Sequence, residues 1–249
     1  MNFVKEKLKR YLKLISINFK FILSKQSVFF LTISFIILSF SFVFNTNFLS
    51  NTSSKILYEK EYYNSYVTGS YNVLIAIFGL LSVFLSIMFS NSYDLYLISR
   101  CKRIEIIISK IICGALFELF YIYISFSIFN MIPVMFLRYY KFKTSFISDF
   151  LLIYLNGLFL LLVSMLMIEI FKNVLSCFMV LVIFWAMKIF TNSSIKKNSL
   201  IYYINHLFPT LIVDEIKTKV YFPNIYIVYP LILLLMFLLS FYYVKKDFK

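Results

Sequence analysis

The chain has 249 residues, of which 61% are hydrophobic and 14% charged. Soluble domains carry about 25% charged residues, so this balance excludes an ordinary soluble enzyme and indicates a membrane protein. The net charge of +14 comes from 25 basic and 11 acidic residues. The basic residues cluster at the ends of apolar runs. That distribution points to anionic lipid headgroups and to topology rather than to nucleic acid.

Residues 1–25 are amphipathic. Val4, Leu8, Tyr11, Leu12, Ile15, Phe19 and Ile22 recur at three- and four-residue steps, with Lys5, Lys7, Lys9, Arg10, Lys13 and Lys20 filling most of the other face. Such a pattern predicts an interfacial helix lying among the headgroups. This lysine-rich start has no apolar core before a cleavage site, so no cleavable signal peptide is expected.

Six apolar stretches are long enough to cross a bilayer at about 1.5 Å of rise per residue. They are Val28–Phe48, Tyr71–Ser90, Ile111–Leu137, Phe150–Ile168, Val174–Phe190 and Ile225–Val244. With a cytosolic N-terminus, fifteen basic residues fall inside and nine outside, and Lys188 falls within a span. The positive-inside bias therefore places both termini in the cytosol. Arg138, Lys141 and Lys143 sit awkwardly in a loop assigned to the outside, where a re-entrant or further span is the alternative. Cys101, Cys113 and Cys177 fall in cytosolic or embedded positions and are expected as free thiols.

The stretch 92–110, SYDLYLISRCKRIEIIISK, joins the second and third spans. Ser92 and Asp94 can start a helix, because a short oxygen side chain accepts first-turn amide hydrogens. Leu95 and Ile98 supply apolar contacts, and Arg100, Lys102 and Arg103 form a basic elbow. The expected result is a short amphipathic element at 92–103.

This segment resembles the cytosolic loop after the second span in permease subunits of type-two ABC exporters. Tyr93, Asp94, Leu95, Leu97, Ser99, Lys102, Arg103, Glu105, Ile106 and Lys110 match that family's pattern in type and spacing. Arg100 replaces the usual Pro, and Ser109 stands where Gly is common. The resemblance implies a single all-α permease domain over 1–249. It implies six transmembrane helices, an N-terminal surface helix and a cytosolic coupling helix. Tyr93, Asp94, Leu95, Leu97, Ile98, Arg100, Lys102 and Arg103 would then face an ATP-binding cassette subunit. A second permease subunit, identical or a sister, would complete the assembly in a bacterial cell membrane. The resemblance also implies that the outer loop 191–224 folds into short helices that dip into the outer leaflet.

No catalytic constellation accompanies these features. The four glycines, at 69, 79, 114 and 157, are isolated, so no phosphate-cradling Gly-x-x-x-x-Gly-Lys loop exists. ATP and Mg are therefore expected on the partner, and this chain is read as a translocation subunit rather than an enzyme. His206 is the sole histidine. A His-Glu-x-x-His metal site is thereby excluded, no metal is expected, and His206 reads as a surface residue. Neither a Gly-x-Ser-x-Gly elbow nor an adjacent Glu-Glu pair is present.

Glu118 is the one acid inside a predicted span. A carboxylate at membrane depth costs about 2.5–3.5 kcal/mol, so Glu118 should face the bundle interior or be protonated. Two roles fit it: a structural partner for a hydroxyl or Lys110, or a gate or contact on a cargo path. Glu169 and Lys172 sit in the turn before the fifth span, as helix caps or as a partner contact. The aromatic richness, 31 Phe and 20 Tyr, fits lipid-facing and packing residues or a compliant aromatic cargo path, and leans toward a membrane-active peptide over lipids, polysaccharides, drugs or sodium as cargo. A stand-alone immunity protein that sequesters a peptide toxin without ATP is the alternative.

Overall fold

The computed structural model describes residues 2–50, 58–91, 102–136, 146–192, 212–214, 219–221 and 225–245. These residues form α1 (Asn2–Ile22), α2 (Lys25–Ser50), α3 (Tyr58–Asn91), α4 (Arg103–Phe136), α5 (Phe146–Phe171), α6 (Ser176–Asn192) and α7 (Ile225–Lys245). A two-stranded hairpin, β1 (Ile212–Asp214) and β2 (Lys219–Tyr221), precedes α7. Each of the six predicted apolar stretches lies largely on one of the helices α2 to α7.

Three apolar stretches are long enough to cross a membrane: Tyr66–Ser90 on α3, Ile104–Met131 on α4 and Ile147–Phe171 on α5. Shorter apolar stretches occupy α2 (Leu31–Ser41), α6 (Ser176–Ala186) and α7 (Tyr226–Tyr242). Large apolar side chains point outward from these shorter helices. Phe40 is 72% exposed and Phe237 is 68% exposed. A soluble fold rarely leaves contiguous apolar faces of this kind uncovered, and a lipid-facing surface accounts for them.

α3, α4 and α5 form the centre of the fold, and the α3–α5 interface is the most extensive in the chain. Cross-contacts fix the helix directions. Ser82 and Ser86 of α3 lie against the carbonyls of Gly157 and Leu161 of α5, so both helices advance together. The pairs Phe89–Lys110, Ser82–Glu118 and Tyr66–Phe129 run in opposite order, so α4 is antiparallel to α3. That alternation is the one consecutive membrane spans require.

At one end of this trio an aromatic cluster closes the packing. The Phe129 ring stacks on Tyr66 at 5.4 Å and on Tyr71 at 5.9 Å, and meets Phe150 edge-on at 5.6 Å. The Tyr66 hydroxyl donates to the Phe129 carbonyl (2.9 Å), and the Tyr71 hydroxyl donates to Asp149 Oδ2 (2.8 Å). Each ring thus buries its apolar body while its polar tip keeps a partner. α2 joins through Phe35, stacked on Tyr121 at 4.5 Å, and through the Tyr121 hydroxyl, which donates to Ser34 Oγ (3.0 Å).

α1 packs on α4 and α3 through a face offset from the predicted apolar stripe. Leu14, Asn18 and Ile22 are buried, and Asn18 Nδ2 donates to Ser109 Oγ (3.1 Å). Leu8 and Leu12 stay exposed. One side of α1 therefore holds the bundle, with Phe19 half-buried against it, while Leu8 and Leu12 of the apolar stripe stay uncovered.

The hairpin corrects one expectation. Within the outer loop 191–224, Leu211–Val220 is an amphipathic piece, and the resemblance implies short helices. Ile212–Asp214 and Lys219–Tyr221 are instead antiparallel strands, with Ile212 opposite Tyr221 and Val213 opposite Val220. β-branched and aromatic residues suit a pleated, half-covered surface, which favours strands here. The hairpin rests against α3, α5 and α6. His206 and the basic residues Arg138, Lys141 and Lys143 lie outside the described residues.

Among the described residues, Lys172 is the non-glycine residue with positive φ (51°). It immediately follows α5, the position where a left-handed residue commonly ends a helix and Gly is favoured. The neighbouring Asn173 holds the turn that leads into α6. Its Oδ1 accepts the Leu175 amide (2.9 Å), and its carbonyl accepts the Ser176 hydroxyl (2.6 Å). The turn thus ends one helix and caps the next. Lys172→Gly should stabilise the protein by about 0.5–1 kcal/mol by removing the left-handed penalty of a side chain. Denaturant unfolding in detergent micelles checks this, and Lys172→Val should shift stability the other way.

Candidate functional site

The polar groups of the α3–α4–α5 junction lie on helix faces that are otherwise apolar. Glu118 is 0% exposed, near the midpoint of the apolar stretch Ile104–Met131. It therefore lies deeper than its distance from the end of the predicted span suggests. Its neighbour is Ser82 on α3, whose Oγ lies 2.9 Å from Glu118 Oε1. The same Oγ is 2.7 Å from the Phe78 carbonyl and 3.0 Å from the Gly157 carbonyl. One hydroxyl thus meets oxygens from all three helices. The other carboxyl oxygen, Glu118 Oε2, has no hydrogen-bond partner.

Gly157 makes this closeness possible. A Cβ there would sit 3.2 Å from Glu118 Oε2 and 3.2 Å from Phe78 Cδ1. Gly114 serves the same purpose a turn away on α4, where a Cβ would fall 2.7 Å from Leu161 Cδ2. Small residues at helix crossings let backbones approach and let short polar side chains reach across. Tyr154 adds a second α5–α4 link, its hydroxyl donating to the Ala115 carbonyl (3.2 Å). Further buried polar atoms on these helices carry no partner: Ser70 Oγ, Ser164 Oγ, and both polar side-chain atoms of Asn156.

Lys110 organises the end of the trio opposite the aromatic cluster. Its side chain is 2% exposed, and Nζ donates to the Phe89 carbonyl (2.6 Å). Phe89 belongs to the last turn of α3, where carbonyls lack intrahelical partners and the helix dipole is negative. A lysine from α4 thus caps the C-terminus of α3. The sequence offers Lys110 as a partner for Glu118, but it serves this backbone carbonyl instead. A small cleft opens beside it, lined in part by Ser86, Ser90, Lys110 and Glu169. Glu169 therefore faces α3 and α4.

The start of α4 is also capped. The carbonyl of Lys102 accepts the Glu105 amide (2.9 Å), and Glu105 Oε2 reaches back to the Lys102 amide (3.4 Å). A Glu at the third helical position that returns to the N-cap amide is half of a capping box, and it also suits the positive end of the helix. Of the predicted coupling residues, Lys102 is this exposed N-cap and Arg103 begins α4. Tyr93, Asp94, Leu95, Leu97, Ile98 and Arg100 lie outside the described residues.

Several residues of the junction escape a reading of the sequence. Ser82 and Ser86 are among many serines in apolar runs, and nothing in their spacing marks them. Asn18 and Asn156 carry a signal: an amide on a helix face that is otherwise apolar. Among the described residues, no group of three or more His, Cys, Asp or Glu side chains is placed to hold a metal ion.

Ser82→Ala should cost about 1–3 kcal/mol, because Glu118 then stays buried without its hydrogen-bond partner. Ser127→Ala, which removes a less buried hydroxyl on the same helix as Glu118, should cost under about 0.5 kcal/mol. Parallel unfolding curves in detergent check the contrast.

No protein-family model matches this sequence, and no curated protein matches it either.

Proposed function

We propose that the chain is the membrane-spanning permease subunit of an ATP-driven efflux transporter of the type-two ABC exporter kind. In this reading α2 to α7 each cross the bilayer, both termini are cytosolic and α1 lies on the inner surface. The ATP and Mg sites belong to a partner cassette subunit, and a second permease subunit completes the pore. The preferred cargo is a membrane-active amphipathic peptide.

The observation that carries the reading is the segment 92–103 with the helix ends on either side of it. It joins α3 to α4, the two helices that Lys110 ties together through the Phe89 carbonyl. Arg103 begins a capped helix that runs straight into the apolar stretch Ile104–Met131. A push on this segment is therefore delivered to two joined helices at once. The direction alternation of α3, α4 and α5 supports consecutive spans. The outward apolar faces of α2, α6 and α7 support lipid contact along the rest.

In the proposed mechanism, closure of the ATP-binding subunits pushes on Tyr93, Asp94 and the basic residues Arg100, Lys102 and Arg103. Leu95, Leu97 and Ile98 dock as an apolar helix face in a groove of the ATPase, a helix-in-groove contact. The α3–α4–α5 trio then tilts as a unit and changes which side of the membrane the cargo path faces.

Mild detergent extraction of the tagged chain from its host, followed by mass spectrometry, tests the assembly. A stoichiometric ATP-binding subunit is expected. A chain that purifies by itself even after crosslinking overturns the reading and favours toxin sequestration. Leu97→Asp should leave insertion unchanged and uncouple ATP hydrolysis from export, since a charge replaces an apolar docking residue. Normal transport by that variant would sink the coupling role. For cargo, cells with and without the complex should differ in susceptibility to amphipathic peptides.

A further inference from the structure

We propose that Glu118 and Ser82 form a proton-binding site at the junction of α3, α4 and α5, occupied by a proton in the folded protein. The hydrogen bonds available at Ser82 support this site whether or not the chain is a transporter.

Ser82 has one proton and three oxygens within reach: Phe78 O at 2.7 Å, Glu118 Oε1 at 2.9 Å and Gly157 O at 3.0 Å. An ionised Glu118 only accepts. Ser82 would then have to donate to it, and the buried charge would rest on a single hydroxyl. An ion buried in an apolar interior needs pairing or several donors. A neutral Glu118 resolves the count. Its own O–H donates to Ser82 Oγ, and the Ser82 proton passes to a carbonyl of α3 or α5. Every short distance at the junction is then a satisfied bond or a tolerated contact, and the unpartnered Oε2 carries no charge.

The surroundings provide no counter-charge. Described residues 28–41 of α2, 66–91 of α3, 146–171 of α5 and 226–242 of α7 contain no Lys or Arg. On α4, Lys110 lies two turns away, engaged with Phe89 O. The described basic residues of α1, Lys9, Arg10, Lys13 and Lys20, are exposed, as is Lys102 before α4, and residues 176–186 of α6 contain no Lys or Arg. The remaining described groups facing the trio are tyrosines, cysteines and acids. Tyr154 is bonded to Ala115 O, Tyr121 to Ser34 and Tyr71 to Asp149. Cys113 is buried, and Glu169 lines the cleft. Tyr226, Tyr229 and Tyr242 lie on the exposed face of α7. The cleft reaches Ser86, one turn from Ser82, from the side of the α4 N-terminus.

The consequence is a Glu118–Ser82 contact that is satisfied only while the proton is present. Release places a charge between three helices with one donor to meet it, so the junction must open or admit water. A gate at Glu118 would then respond to protons.

The test uses the purified full-length protein in lipid nanodiscs. Infrared spectra at pH 7 should show a protonated-carboxyl stretch that Glu118→Gln removes and that fades in the wild type as the pH is raised. Thermal unfolding supplies the second readout. Glu118→Gln, a neutral isostere able to donate to Ser82, should unfold within about 3 °C of wild type at pH 7, whereas Glu118→Ala should fall by more than about 4 °C. Moving to alkaline pH should lower the wild-type midpoint more than that of Glu118→Gln. Absence of the band in the wild type, or its persistence in Glu118→Gln, overturns the proposal. So does a Glu118→Gln protein as unstable at pH 7 as Glu118→Ala.

Discussion

An apolar bundle offers polar side chains no water, so each one it buries must find a partner within the protein or raise the free energy of the fold. That constraint shapes the centre of this molecule. Three helices meet there with polar contacts at three levels. Lys110 caps α3 at one end, Ser82 meets Glu118 and Gly157 in the middle, and Tyr71 meets Asp149 beside stacked rings at the other. Leu, Ile and Phe fill the space between levels. Apolar packing alone would leave the helices free to slide or rotate at small cost. Directional bonds at three heights select one register.

The same arrangement bears on how motion could pass through the fold. The widest interface joins α3 to α5, and α4 is bonded to both. These helices share their most buried groups and are suited to moving as one body. α2, α6 and α7 reach the trio mainly through apolar contacts and keep large exposed faces. Force entering between α3 and α4 would meet the Lys110 tie first, and then the middle level, where an acid rests on one hydroxyl. Stiffness and a point of weakness therefore lie along one line of helices.

Much of the framework is legible in residue order. Six apolar runs correspond to six helices, and the period of residues 4–22 corresponds to α1. Glu118 stands out because an acid in an apolar run is rare and expensive. Its partner does not stand out. Ser82 is one serine among many, and only the approach of α5 at Gly157 distinguishes it. The buried line of α1 is shifted from the expected stripe because Asn18 finds Ser109, a contact ninety-one residues away in the chain. The strand pair Ile212–Asp214 and Lys219–Tyr221 is not legible because short runs with β-branched residues also fit an amphipathic helix, and the pair packs on α3, α5 and α6.

The sequence by itself determined that this chain is apolar along most of its length, that its six apolar runs lie on helices, and which acid sits among them. Those properties follow from composition and period, which are local and additive. Only the tertiary structure decided what the polar residues do: that Lys110 closes α3 instead of meeting Glu118, that Glu118 has a hydroxyl and no cation, and that α3 and α5 run side by side. These outcomes depend on helix rotation and crossing distance. Both are set by the summed packing of side chains far apart in sequence, which no short stretch encodes.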